Sequence, residues 1–189
     1  GTEKSKGTKL VSVSGHVKKP GNYEIEMGTP TSELIYNLAG GIRNDNKLKA
    51  FIPGGSSVPM LPADKVDTPY DYESLAAAGT MLGSGALIVI DDSVNIVETT
   101  LRLISFYMHE SCGKCTPCRE GTRWLYQIVE RIMQNKGQLE YIDKLEDICG
   151  NMAMKTFCPL ADACVSPVVS SIKHFRSDYE EYFKNVGVS

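Results

Sequence analysis

No apolar run in this 189-residue chain approaches the ~20 residues that a bilayer-spanning helix needs. Direct membrane insertion is therefore not expected. The start, Gly-Thr-Glu-Lys-Ser-Lys-Gly, has no apolar stretch and does not read as a signal peptide. Charge of one sign is also lacking: the net charge is −3, with 9 Lys/Arg against 11 Asp/Glu up to Ser93 and 11 against 12 beyond it. A nucleic-acid partner, which draws affinity from a basic surface, has no support in that balance. Histidine is scarce, with His16, His109 and His174 scattered along the chain. Cysteine is missing from the whole first half; all six, Cys112, Cys115, Cys118, Cys149, Cys158 and Cys164, lie in the second. That clustering argues against a secreted disulfide scaffold, which is smaller and spreads its cysteines, and points to a reducing, cytoplasmic compartment. What remains is an ordinary apolar share of 42% and 23% charge, enough to build one or two packed cores.

The pattern changes near residue 93. Before it, strand and turn signals dominate. Lys9 to Ser14 alternates apolar and polar, Gly15 to Gly21 reads as a turn, and Asn22 to Glu26 completes a hairpin. Pro30 to Ala39 has a helical stripe ended by Gly40-Gly41, Leu48 to Ile52 is a further strand, and Ala86 to Ile90 is a buried one. The stretch from Pro53 to Met81 is loop-rich, with a short helix expected at Tyr72 to Ala78. Strands flanking one helix predict a small α+β domain with the helix across a curved sheet. From Ser93 the period becomes helical: Val94, Val97, Leu101, Ile104 and Met108 share a face, with Asp92 or Ser93 as the expected N-cap. A second helix is expected from Thr116-Pro117 to Gly137, its face Leu125, Ile128 and Ile132 with Trp124 alongside. A third carries Ile142, Leu145, Ile148 and Met152. The last starts at Pro159 or at Ser166-Pro167 and runs through Phe183. Four such stripes predict a bundle.

Between the first two of these helices stands Cys112-Gly-Lys-Cys115-Thr-Pro-Cys118. Three thiolates at C-x2-C-x2-C spacing can bind three irons of one cubane, and a short loop can wrap that corner. Gly113 permits close backbone approach, and the helix opening at Thr116 offers the positive end of its dipole to the thiolates. Lys114 and Arg119 are expected to point to solvent. A [4Fe–4S] cluster wants a fourth thiolate. Cys158, followed by Pro159, is favoured; Cys149, beside apolar Ile148, reads as a small buried hydrophobe, and Cys164 as core or spare. Structural zinc is the main alternative, but zinc sites usually show two C-x2-C pairs rather than a triplet and a distant single. A thioredoxin-like pair would follow a strand and would leave the third cysteine without a role. Gly79-Thr-Met-Leu-Gly83-Ser-Gly85 precedes a strand and is no dinucleotide fingerprint, and Gly54-Gly55-Ser56-Ser57 reads as a turn rather than an anion cradle. His109 is expected near the cysteines without ligating.

The segment from Glu110 to Gly121, ESCGKCTPCREG, resembles the cluster-binding region of the flavin-bearing, NADH-oxidising F subunit of NADH-quinone oxidoreductase, respiratory complex I. Val11 to Gly21 and Ile52 to Ser57 resemble that family's soluble-ligand-binding β-grasp module. Thr156-Phe-Cys-Pro-Leu-Ala-Asp162, followed by His174-Phe-Arg176, resembles its closing segment, where the fourth ligand matches Cys158. The resemblance implies a flexible tail over 1–8, a ubiquitin-like β-grasp domain over 9–92 and a helical bundle over 93–189. Within the bundle it implies a [4Fe–4S] cluster held by Cys112, Cys115, Cys118 and Cys158. It also implies single-electron relay from a reduced flavin to cluster-bearing hydrophilic subunits, in a complex peripheral to the inner membrane. The family's large glycine-rich domain for FMN and NADH has no match here, and Gly1 falls about where that domain ends. No residue of this chain is thus expected to bind either nucleotide, and by itself the chain is not expected to oxidise NADH. Ala161 and Cys164 stand where small residues are expected. Two other readings share these modules: the matching component of an NAD-linked hydrogenase or formate dehydrogenase, and a ligand-binding β-grasp domain.

Overall fold

The computed structural model describes residues 1–184. It is α+β and divides into two units, Gly1–Val94 and the remainder of the chain from Asn95. Among the described residues no helix is long and apolar enough to cross a membrane.

The first unit is built on five strands: β1 (Thr8–Gly15), β2 (Gly21–Glu26), β3 (Leu48–Ile52), β4 (Leu61–Pro62) and β5 (Ala86–Asp91). Their order in the sheet is β2-β1-β5-β3-β4. β1 pairs antiparallel with β2 and parallel with β5, and β3 is antiparallel to both β5 and β4. The alternation in β1 buries Val11 and Val13 and leaves Leu10 on the solvent side. β5, at the centre of the sheet, buries Leu87, Val89 and Ile90, which suits its continuous apolar run. The Glu33–Leu38 helix lays Leu34 and Ile35 into this core and closes with wide turns, Ala39 N–H donating to Leu34 O and Gly41 N–H to Ile35 O. A short helix, α1 (Tyr72–Ala77), starts at Asp71, whose carboxylate accepts from Ser74 N–H at 2.7 Å. Tyr70 is buried, and its hydroxyl donates to Pro53 O.

The two glycine-rich stretches meet each other. Ser84 N–H donates to Gly54 O, and Gly55 N–H to Ala86 O. A Cβ at Gly83 would lie 2.4 Å from Gly54 O, so these glycines serve backbone contact between two loops. Residues 1–8, expected as a loose tail, carry contacts of their own. Ser5 is buried and donates to Glu73 at 2.5 Å, and Thr8 opens β1. β4 has no counterpart in the sequence-based reading, since two residues ending in proline give no strand period.

Polar side chains gather on Asp91, at the end of β5 and fully buried. It accepts from Asn46 Nδ2 at 3.0 Å, from Ser93 Oγ at 2.5 Å and from Ser93 N–H at 3.1 Å; His16 Nδ1 lies 2.8 Å away and Arg43 Nε 3.5 Å. Burial opposes its charge, but the hydrogen bonds that Ser93 and Asn46 donate win and hold the carboxyl well below the usual carboxylate range.

The second unit holds α2 (Ile96–Glu110), α3 (Thr116–Met133), α4 (Glu140–Met152) and α5 (Leu160–Lys184). α2 is capped by Asn95, whose side chain accepts from Val97 N–H at 2.8 Å, rather than by Asp92 or Ser93. Those two are already paired, Asp92 with the Lys47 backbone and Ser93 with Asp91. The buried face of α2 is accordingly Ile96, Val97, Thr100, Ile104 and Tyr107. α3 stops before Gly137: Asn135, at φ 55, takes the left-handed turn expected of that glycine. α5 starts directly after Pro159, tolerates Pro167 in its interior and breaks helical geometry at Phe175. Leu125, Val129, Ile132, Ile142, Leu145, Val168, Ile172 and Tyr179 close the core. Tyr179, whose hydroxyl lies 2.6 Å from Ser171 Oγ, has its pKa pushed up to about 12, chiefly by burial.

Candidate metal centre

The cysteine loop is shaped by a sharp reversal between α2 and α3. Gly113 makes it at φ 77, in the left-handed region where a side chain is strained. Its carbonyl accepts from Arg119 Nη1 at 2.7 Å and its N–H donates to Ser111 Oγ at 3.3 Å, so both polar groups of the turn are held. α3 then opens with Cys115 as its N-cap residue, Pro117 in the first turn and no side-chain hydrogen bond at the cap. Its leading N–H groups stay free of a competing cap, and the positive helix end falls beside Cys115 and Cys118. Cys118 is buried, and Ser111 Oγ stands 3.3 Å from its Sγ.

The opposite wall comes from the segment between α4 and α5. Met154 turns the chain at φ 57, and its N–H donates to Asp162 Oδ1 at 2.8 Å in the first turn of α5. Thr156 Oγ1 donates to Cys158 O at 2.9 Å. A cavity of about 90 Å3 is thereby bordered by Cys112, Cys115, Cys118 and Cys158 together with Ser111 and Thr156. Cys112 and Cys158 are exposed, Cys115 is half-buried and Cys118 buried, so the opening lies on the side of the first two. Among the described residues no three His, Cys, Asp or Glu side chains close on a single ion. Four thiols spread around one cavity suit instead a group with several metal corners, each taking one thiolate. The donor set thus fits a cubane cluster.

Cys149 and Cys164 belong to the helical core, 1% and 0% exposed, and do not border the cavity. Burial, with Glu146 nearby, pushes the Cys149 thiol up to about 12; burial, with Cys149 and Cys118 adding, raises that of Cys164 as well. A thiol that resists ionisation is a poor metal ligand. His109 is exposed and is not part of the cavity wall. Lys114 and Arg119, expected to point away, both have local work: the Lys114 ammonium sits 5.9 Å over the Phe157 ring, and Arg119 ties down Gly113. Ser111 and Thr156 were not legible from sequence. Their place one and two residues before a cysteine is the only hint of a role in holding the loops. Beside the cavity, an apolar groove of about 280 Å3 is lined by Pro117, Gly121, Trp124, Ile148 and Met152. Trp124, expected beside the buried stripe of α3, is half exposed here.

Residues 98–182 match the iron-sulfur binding region of NADH-ubiquinone oxidoreductase-F, and residues 9–89 match the SLBB domain. The NADH-quinone oxidoreductase F subunit of Mycobacterium tuberculosis H37Rv is 50% identical over 187 residues, which is 99% of this chain and 42% of that protein. The F subunit of Streptomyces coelicolor is 48% identical over 187 residues, and that of Rickettsia felis 46% over 185. Over nearly its whole length this chain is homologous to the C-terminal part of NADH-quinone oxidoreductase F subunits. It spans less than half the length of these relatives, 41% of the Streptomyces and 44% of the Rickettsia protein, and corresponds to their C-terminal part. Among solved structures, it superposes on the NAD+-reducing [NiFe]-hydrogenase in its H2-reduced state with a TM-score of 0.86 and 28% identity. That alignment covers 98% of this chain and 31% of the hydrogenase chain. The air-oxidised form gives 0.85 and 29%, over 96% and 31%.

Proposed function

We propose that Cys112, Cys115, Cys118 and Cys158 hold a [4Fe–4S] cluster, and that the chain relays single electrons as part of an NADH-oxidising F subunit. The donor would be a flavin held elsewhere in the whole protein, and the acceptors cluster-bearing subunits of a complex peripheral to the inner membrane. The observation that carries this reading is the convergence of those four thiols on one cavity, although the rest of α3 and all of α4 separate Cys118 from Cys158 in sequence. Such a cluster, when bound, takes up and gives back one electron at a time. The chain's own part is to hold and shield it. The α3 N-terminus offers positive potential to the thiolates, and the buried face carrying Cys118 keeps water from one side. The same reading divides the chain into a β-grasp domain at 9–92 and a cluster domain from 93.

Air-free reconstitution is expected to give a brown protein with about four irons and four sulfides per chain, as a four-thiolate cubane requires. Cys158→Ala is expected to lose the cluster, while Cys149→Ala and Cys164→Ala keep it. One tight zinc without sulfide, or iron lost from Cys164→Ala and kept in Cys158→Ala, would sink the ligand set. The chain alone is expected to show no NADH–ferricyanide reductase activity, because a cluster cannot accept a hydride. The superposition on the hydrogenase keeps its equivalent component as a second reading. The higher identity to the quinone-linked F subunits, 50% against 28%, favours the first.

A further inference from the structure

Ser111 is the residue at which α2 ends, and a serine there ordinarily needs no more explanation than solubility. Its hydroxyl, however, is placed between two partners. Gly113 N–H donates to Ser111 Oγ at 3.3 Å, and Ser111 Oγ lies 3.3 Å from Cys118 Sγ. A hydroxyl oxygen that accepts from an N–H still has its own hydrogen to give. A cysteine that binds iron does so as the thiolate, which has no hydrogen and can only accept. With Cys118 as a ligand, the direction of the contact is therefore fixed: Ser111 donates to Cys118. Its position is fixed too, because Arg119 Nη1 holds the Gly113 carbonyl at 2.7 Å while Gly113 holds the hydroxyl.

We infer that Ser111 is a positioning residue that sets the redox balance of the centre by donating its hydroxyl hydrogen to the Cys118 sulfur. The inference rests on the cluster reading above. Each electron added to the centre makes its sulfurs more negative, and a hydrogen bond to sulfur stabilises the added charge; loss of the bond lowers the reduction potential. Cys118 is the buried cysteine of the four, whereas Cys112 and Cys158 are exposed. In the lower dielectric around Cys118 one hydrogen bond weighs more than it would at the exposed corners. Of the side-chain hydrogen bonds described around the cavity, this is the one that ends on a cysteine sulfur; that from Thr156 ends on the carbonyl of Cys158.

The test uses the full chain, reconstituted without air, with Ser111→Ala, Ser111→Thr and Ser111→Val. Thr keeps the hydroxyl, and Val has nearly the shape of Thr without it. Iron and sulfide content and the electron paramagnetic spectrum of the reduced state report whether the cluster is there. A redox titration reports its midpoint. Ala and Val are expected to hold full iron and sulfide with the midpoint shifted to more negative values, and Thr to stay near the unsubstituted chain. Full clusters with one midpoint in all four proteins overturn the inference and leave the cluster reading standing. If Ala and Val lose iron while Thr retains it, the hydroxyl is needed to hold the cluster rather than to set its potential, and the inference is overturned. Loss in all three overturns it, because shape and not the hydroxyl then matters. An unsubstituted chain that takes up no iron and sulfide overturns the cluster reading itself.

Discussion

Asp91 shows how much one side chain can hold together. A carboxylate fully out of solvent carries a large desolvation cost unless donors surround it, and here Ser93 and Asn46 donate to it, Arg43 lies beyond, and His16 Nδ1 accepts from the Asp91 backbone N–H. These partners come from sequence positions up to 75 residues away, so the contact network was invisible to any reading of local pattern. Because the folded-state pKa is lowered, the stability Asp91 contributes is complete above the unfolded carboxylate value of about 3.9. It is lost as pH falls below that value toward the lowered one. Asp91→Asn is expected to cost about 1–3 kcal/mol at neutral pH and to flatten the acid limb of the first unit's stability, measured by denaturant melts from pH 7 down to pH 3. From sequence, His16 is only a scattered histidine. Its partner across the sheet gives it a place that spacing could not.

At the scale of elements, the caps decide where helices begin and end. Asn95 and Asp178 both serve the start of α2: Asn95 accepts from Val97 N–H, and Asp178 Oδ2 accepts from Ile96 N–H at 2.9 Å from within α5. Asp178→Ala is expected to destabilise the helical unit by about 1 kcal/mol, the usual value of a lost cap, read as a lower midpoint in thermal unfolding. The loop Ser111–Cys115 depends in the same way on Gly113. Gly113→Ala forces a Cβ into left-handed backbone at a cost of roughly 1–2 kcal/mol, and is expected to slow or lower iron uptake while helix content by circular dichroism stays unchanged. Long periodic elements were legible: Leu125 and Ile132, or Ile142 and Leu145, announce their helices because a buried stripe needs only local spacing. The cysteine triplet was legible for the same reason. Cys158 was reached through its proline and through a family resemblance. The ends were less legible. Asn135 rather than Gly137 turns the chain after α3, since asparagine also tolerates positive φ and stood two residues nearer. Asn95 replaced Ser93 as a cap because Ser93 was already bound to Asp91.

For the whole molecule, each unit has its own buried core, one around Phe51, Leu75 and Val89 and the other around Leu125, Leu145 and Ile172. Units with separate cores are expected to melt separately. Scanning calorimetry of the chain is expected to resolve two transitions. Leu125→Ala, at a site with no solvent exposure, is expected to cost about 2–5 kcal/mol and to move one transition only. A single transition shifted as a whole would contradict the division into two domains.

The chain has one tryptophan. It sits half exposed on α3, six residues beyond Cys118, which is about 9 Å along a helix axis. Excited indole at that range passes its energy readily to a strongly absorbing iron centre. Ultraviolet emission from this protein is accordingly expected to dim as iron and sulfide are taken up and to brighten as the cofactor is stripped. Position 124 makes the molecule its own optical gauge of loading, readable in a cuvette before any iron is weighed.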